Sequence, residues 1–360
     1  MRIFVINPGS TSTKLALFED EECLFKTNVF HSSLELAAFK DLYAQLPYRL
    51  KVIEAFLEAN KIDLQGVGAI IGRGGGMRPI TSGVFRVDAQ MIEDVENNVA
   101  HTNHPSALGI LLAKELQKKY GGLLLTGDVI CVDEYCEQAR MTGIKGVYRH
   151  SHTHALNAKG TARLQAKKLG KRYEDCNFIV AHIDGGITVS CHKKGRMIDA
   201  TDGTGGEGAY TPSRCGAVGA IELLDYLKEH DFQEVYKLFS ATGGMISLLG
   251  SNDADAIHQR VEAGDQEALR AWEGMIYNII KAIGSFATVL EGEVDNIILT
   301  GGLLRFEDIV AKIAKACAFI APLAIYPGEV EMEALAHLAL QVLRGEQEAL
   351  IYGENLVKYE

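Results

Sequence analysis

Two stretches about half the chain apart follow one plan: "IFVINPGSTSTKLALFED" begins at residue 3 and "NFIVAHIDGGITVSCHKKGRMID" at residue 177. Each reads as a buried strand, a turn of small residues, and a second strand. This echo constrains the fold more than any single motif. A chain of 360 residues exceeds one ordinary core and divides into domains. The repeat predicts two lobes built on one supersecondary unit, hinged about a central cleft. No low-complexity linker separates them, so the boundary is expected near the polar "YRHSHTH" segment, with a first lobe over 1–148 and a second over 149–328.

Strand-like and helical runs alternate between and after the two copies, which predicts an α/β fold. Apolar strands are expected at "AIIG" (69–72), "GLLLTG" (122–127), "NIILTGG" (296–302) and "APLAIYPG" (321–328). "HPSALGILLAKELQKKYGG" reads as an amphipathic helix with a glycine stop. After Pro327-Gly328, Met332, Leu335, Ala336, Ala339, Val342 and Leu343 make one apolar stripe at helical spacing.

The net charge of -11 argues against a nucleic-acid surface, which needs a basic stripe. It leaves room for an anionic small substrate, because a few local cations suffice. No apolar run approaches the ~20 residues that span a bilayer, and the chain opens on a strand without an export signal. Its seven cysteines form no CxxC pair. Reduced thiols and a cytoplasmic protein are the expectation.

"NPGSTSTK" offers backbone N–H groups, hydroxyls and Lys14 at the end of a strand, a set that suits phosphate. It lacks the second glycine of a Walker A loop, and a strand follows where that loop has a helix. A decorated hairpin is the plainer reading. "HIDGGITVS" places paired glycines at the equivalent point, and "LTGGLL" ends another buried strand. Arg73 stands just beyond a strand in "IGRGGGMRPITSG". Arg214 lies in the glycine-rich "DATDGTGGEGAYTPSRCG" with Asp202 and Glu207 nearby. Most of the chain's cations read as solvated, but flanking glycines let a ligand approach these two. His150, His152 and His154 alternate and admit three readings: a metal site, a solvated loop, or contacts to an anion. Asp133 and Glu134 form an acidic pair. Glu329, Glu331 and Glu333 open the last helix, where capping explains them and a hard cation is the alternative.

In this order the motifs resemble those of the acetate and sugar kinase, heat-shock ATPase and actin superfamily, over essentially the whole chain. Within it they are most similar to the carboxylate kinases, and to the butyrate kinases above all. The residues concerned are "INPGSTSTK", "GRGG" with a following Pro and "SG", "HPSALG", "CVDE", "HALN", "YEDCNFIVAHI", "HKKGRMID", "GEGAYTPSR", "IILTGG" and "FIAPLAIYPGEVEMEALA". The resemblance implies a duplicated ribonuclease H-like, actin-like ATPase fold with a central nucleotide cleft. In it the C-terminal helix region 329–360 completes the first lobe.

The resemblance also implies roles. Asn7, Ser10, Ser12 and Lys14 would form the first phosphate loop, with His182, Gly185 and Gly186 in the second and Gly301 and Gly302 beside the adenosine of ATP. Asp133 and Glu331, with Asn7, would position Mg2+ directly or through water. Arg73 and Arg214 would bind the substrate carboxylate and the phosphoryl group, and His150 and His154 would donate to phosphoryl oxygens. The reaction implied is reversible transfer from ATP to a short-chain carboxylate, most closely butyrate or isobutyrate. Acetate or propionate kinase is the near alternative, and a non-catalytic ATP-binding regulator the distant one. The family suggests a homo-oligomer, at least a dimer. Thr153 replaces the usual Phe of Phe-His-Ala-Leu-Asn, and Asp184 stands where a third glycine is usual. A substrate-side residue is expected at Asn103 or His104. Glycines around Gly75 and Gly205 would leave room for a longer acyl chain, and Arg149 would shorten it if turned inward.

Overall fold

The computed structural model describes residues 1–101, 104–203 and 206–359. The chain divides into two compact units, Met1–Asp133 with Val330–Glu360, and Glu134–Glu329. The first division therefore falls ahead of the expected 148/149, and the C-terminal helix belongs with the N-terminal unit.

The first unit is built on a six-stranded sheet. Its strands are β1 (Arg2–Pro8), β2 (Ser12–Glu19), β3 (Glu22–Phe30), β4 (Ala69–Gly72), β5 (Val84–Arg86) and β6 (Leu123–Gly127), in the order β3-β2-β1-β4-β6-β5. β1, β2 and β3 form an antiparallel meander, β4 and β6 run parallel to β1, and β5 closes the edge antiparallel. Alternation along β1 decides its two faces. Phe4 and Ile6 join a core with Leu108 and Leu112 of helix Ala107–Tyr120 and Ile53 and Leu57 of helix Leu46–Ala59. Asn7 shares the other face with Ile3 and Val5, where helix Glu331–Leu343 lies against β1 and β4. In that helix Met332, Leu335, Ala336 and Ala339 of the apolar stripe are fully buried.

A tail follows it and runs along the sheet edge. Leu350 exchanges backbone hydrogen bonds with Val84 and Arg86, and Val357 donates to Pro79 O.

The second unit repeats the plan. β7 (Asn177–Ile183), β8 (Ile187–Lys193), β9 (Arg196–Ala200), β10 (Asn296–Gly301) and β11 (Leu323–Pro327) lie in the order β11-β10-β7-β8-β9. The antiparallel meander β7-β8-β9 and the parallel neighbours β10 and β11 match β1-β2-β3, β4 and β6 strand for strand. Ile179, Ala181 and Ile183 of β7 pack with Trp272, Ile276, Ile279 and Ile283 of helix Gln266–Val289. Phe178 and Val180 face Ala158 and Ala162 of helix Ala155–Lys168, and His182 continues that second face. Among the described residues no helix is long and apolar enough to cross a membrane.

Candidate active site

In the first unit "NPGSTSTK" turns a hairpin, as the plainer reading expects. Pro8 pairs with Thr13 across β1 and β2, and Gly9 N–H donates to Ser12 O at 2.7 Å. Asn7 stands at the end of β1 in register with Lys14. Its Nδ2 donates to Glu331 Oε2 at 2.6 Å, and Arg73 Nη1 donates to the same oxygen at 2.9 Å. Arg73 is carried there because its own N–H extends the β4 ladder to Ile6 O. Glycines 72 and 109 let helix Ala107–Tyr120 press onto this strand end; a Cβ on Gly72 would run into the Gly109 carbonyl. The Nε of Arg73 is buried and makes no hydrogen bond. A buried guanidinium donor without an acceptor is costly.

Asp133 follows β6 by a turn rather than ending a strand of its own; Val132 makes a single bridge to Ile80, and Asp133 N–H donates to Ile80 O. Its carboxylate is 2% exposed, and Oδ2 accepts from Tyr359 Oη at 2.7 Å. The Asn7 amide oxygen faces Arg73 Nη1 at 3.4 Å. A Mg2+ carried on nucleotide phosphates needs only one or two protein carboxylates, and Asp133 is a ligand of that hard-oxygen kind. Glu331 commits Oε2 to Asn7 and Arg73, which suits orienting those two side chains.

In the second unit His154 and Arg214 converge at Gly186. A Cβ on Gly186 would lie 2.8 Å from Arg214 Nη1 and 2.8 Å from His154 Cε1, so only glycine leaves the space open. The His154 and His182 rings stack with centroids 4.0 Å apart, and His154 Nδ1 meets Thr188 Oγ1 at 2.9 Å. The hydrogen-bond network assigns the His182 tautomer. Thr300 donates its hydroxyl to Gly328 O and must therefore accept from Asn157 Nδ2, at 3.1 Å. The same Nδ2 faces His182 Nδ1 at 2.8 Å, so neutral His182 carries its proton on Nε2. Arg214 Nη1 donates to Gly203 O at 2.8 Å, while its buried Nε makes no hydrogen bond. Burial lowers the Arg214 pKa, against a smaller opposing effect of Asp202.

Among the described residues, His182, Asp184 and Glu329 alone bring three metal-capable side chains within 4.8 Å. Asp184 takes the N–H groups of Gly185 and Gly302, each at 2.8 Å, so it occupies backbone donors of both glycine turns. Gly301 N–H donates to Gly328 O. His150 and His152 are exposed on the loop preceding His154, and His152 lies 3.4 Å from Asp202.

His104 Nδ1 meets Ser106 Oγ at 2.8 Å; Asn103 and Gly205 lie outside the described residues. Gly75 opens no room for an acyl chain, because a Cβ there would stand 2.6 Å from Ser106 Oγ and 3.1 Å from Ile130. Arg149 does not reach for a substrate acid. All its donors go to Glu207, Asp199 and the carbonyls of Ala139 and Ala200. Sequence reasoning gave no role to Asn157, Thr188 or Tyr359. Asn157 was visible in "HALN"; nothing local marks the other two.

These two sets of half-buried arginines, glycine turns and oriented polar side chains sit on duplicated sheets of the actin-like ATPase fold, which acetate and sugar kinases share. Acetate kinase from Porphyromonas gingivalis superposes with a TM-score of 0.76 at 19% identity, covering 95% of this chain and 99% of the other. A propionate kinase from Francisella tularensis subsp. tularensis SCHU S4 gives 0.70 at 18% identity, over 93% and 98%. The model of the acetokinase family matches residues 136–323. A probable butyrate kinase of Enterococcus faecalis is 44% identical over 360 residues, 99% of each chain. The chain belongs to the acetokinase family and is a carboxylate kinase, a phosphotransferase with a carboxyl group as acceptor.

Proposed function

We propose that this protein transfers the γ-phosphoryl group of ATP to butyrate or isobutyrate, reversibly, giving ADP and the acyl phosphate. The observation that carries the transfer chemistry is the pair of half-buried arginines, Arg73 and Arg214, each with a buried Nε that has no acceptor in the protein. The full-length resemblance to a probable butyrate kinase supports the four-carbon acid.

A short-chain carboxylic acid has a pKa of roughly 4 to 5, like Glu, so the nucleophile is already ionised at neutral pH. No general base is required. The carboxylate oxygen forms a bond to the γ-phosphorus as the bond to the β–γ bridging oxygen breaks, and that electron pair leaves with ADP. The protein's task is to offset repulsion between two anions and to stabilise charge on the transferring group. Arg73 and Arg214 hold the carboxylate and the phosphoryl oxygens. His182 Nε2–H and His154 donate to phosphate, with His154 fitting this role better than exposed His150. Asn7, Ser10, Ser12 and Lys14 hold phosphates in the first unit. Asp133, with Glu331 and Asn7, would hold Mg2+, which neutralises phosphate charge when bound.

The partner is a second copy of the chain. Helix Ala220–Leu227 buries none of its residues; Ile221 is 67% and Leu224 57% exposed, and Phe232 and Tyr236 follow at 62% each. Exposed apolar area on that scale calls for a cover. Seven free cysteines, four of them buried, suit a reducing cytoplasm.

Hydroxamate trapping of the acyl phosphate, with Mg-ATP and acetate, propionate, butyrate, isobutyrate or valerate, tests the substrate. The expected outcome is a kcat/KM for butyrate or isobutyrate roughly tenfold above acetate, from two more buried methylenes at ~0.8 kcal/mol each. Equal turnover of acetate removes the chain-length claim and leaves the transfer chemistry. Nucleotide binding without acyl phosphate from any acid removes both.

A further inference from the structure

Arg49 lies in helix Leu46–Ala59 and is 0% exposed. Among the described residues no carboxylate pairs with it. Nε donates to Gln45 Oε1 at 3.0 Å, Nη1 to Gly9 O at 2.9 Å and more weakly to Ser12 O at 3.4 Å, and Nη2 to Ser10 O at 2.8 Å. Burial lowers its pKa, the signature of a cation withdrawn from water. An interior cation that carbonyls alone compensate is an expensive way to hold a turn.

The remaining carbonyl of this turn is also engaged. His31 N–H donates to Thr11 O at 2.8 Å, and the His31 ring meets Thr13 Oγ1 at 2.8 Å. Every carbonyl from Gly9 to Ser12 is therefore drawn onto a donor of the first unit. In a planar trans peptide the C=O of one residue and the N–H of the next point opposite ways. Turning the Gly9 and Ser10 carbonyls onto Arg49 directs the N–H groups of Ser10 and Thr11 away from it, and both residues are exposed. Successive N–H groups so directed make an anion-binding concavity, and the buried charge behind them adds to its field.

We propose that Arg49 is a positioning residue for nucleotide binding: it fixes the Gly9–Ser10 and Ser10–Thr11 peptides so that the N–H groups of Ser10 and Thr11 face the phosphates. This rests on the proposed use of that loop as a phosphate site. Lysine keeps the charge but cannot reach three carbonyls with a planar fork, so the conservative change should not substitute.

Calorimetric titration with β,γ-methylene-ATP tests this on Arg49→Lys, Arg49→Met, Gln45→Ala and Ser10→Ala, with melting curves for each and KM for the carboxylate. For folded Arg49→Lys the nucleotide Kd is expected to rise about tenfold, the loss typical of one charged hydrogen bond. Gln45→Ala, which frees Nε alone, is expected to raise it roughly threefold. Carboxylate KM should stay within twofold in both, a split that mere loss of stability does not produce. If the Arg49 variants fail to fold, Gln45→Ala decides. Wild-type nucleotide affinity in folded Arg49→Lys, or in Gln45→Ala where that variant decides, overturns the inference. If Ser10→Ala alone loses affinity, the loop reading stands and only the role of Arg49 falls. If Ser10→Ala also binds normally, the phosphate role of the Ser10 hydroxyl falls with it.

Discussion

Arg214 is half-buried and His31 buried, and burial does different things to them. Arg214 spends Nη1 on Gly203 O, and its buried Nε makes no hydrogen bond. Arg214→Ala is expected to lower kcat by ~10³- to 10⁵-fold, the range for an arginine on a transferring phosphoryl group. Its melting temperature should shift little, because one carbonyl contact is all it gives the fold; stopped assays beside calorimetry check both. His31 serves stability. Burial first, and then the charge of Arg49, lower its pKa from 6.5 to about 4. Between those values the unfolded chain takes up a proton that the folded chain refuses. Stability therefore falls as pH drops from 6.5 towards 4 and levels off below it. The loss is on the order of 3 kcal/mol. Urea unfolding at pH 7, 5.5 and 4 should show the decline, and His31→Gln should flatten it; an unchanged slope would remove the assignment.

At the scale of elements, the C-terminal tail is held by side chains as well as by its backbone. Tyr352 is fully buried; its hydroxyl donates to Asp94 at 2.6 Å and accepts from Arg78 N–H at 2.9 Å. Tyr352→Phe leaves that N–H without its acceptor and is expected to cost ~1 to 3 kcal/mol, read as a lowered urea midpoint with an unchanged slope. Strand positions were legible because alternation and apolar runs are local signals: β4, β7 and β10 fall on "AIIG", "NFIVAHI" and "NIILTG". The tail was not, since its pairing with Val84 and Arg86 depends on an edge more than 250 residues earlier in the chain. Gly75 misled for a related reason. A missing side chain reads as space in a sequence, whereas here Ser106 and Ile130 close it.

For the whole molecule, the unburied helix Ala220–Leu227 predicts self-association. Sedimentation of the wild type should give a dimer or larger, and Ile221→Glu with Leu224→Glu should shift it towards monomer without loss of secondary structure. A monomeric wild type would refute the assignment of this face. The sequence alone determined the duplicated strand-turn-strand plan, because each copy states its own period and its own glycine turn. It also determined the chemical kinds of residue at the strand ends, from Asn7 to His182. Only the tertiary structure decided which of them meet. Arg73, Asn7 and Glu331 come together from positions as far apart as 324 residues, and His154 stacks on His182 across a helix and a strand. Arg149, equally suited on paper to an acid substrate, is consumed by Glu207 and Asp199. Arg49, unremarked on its helix, ends behind the first turn. A side chain's hydrogen-bond partners are set by packing between segments distant in sequence, and local composition carries no record of that packing.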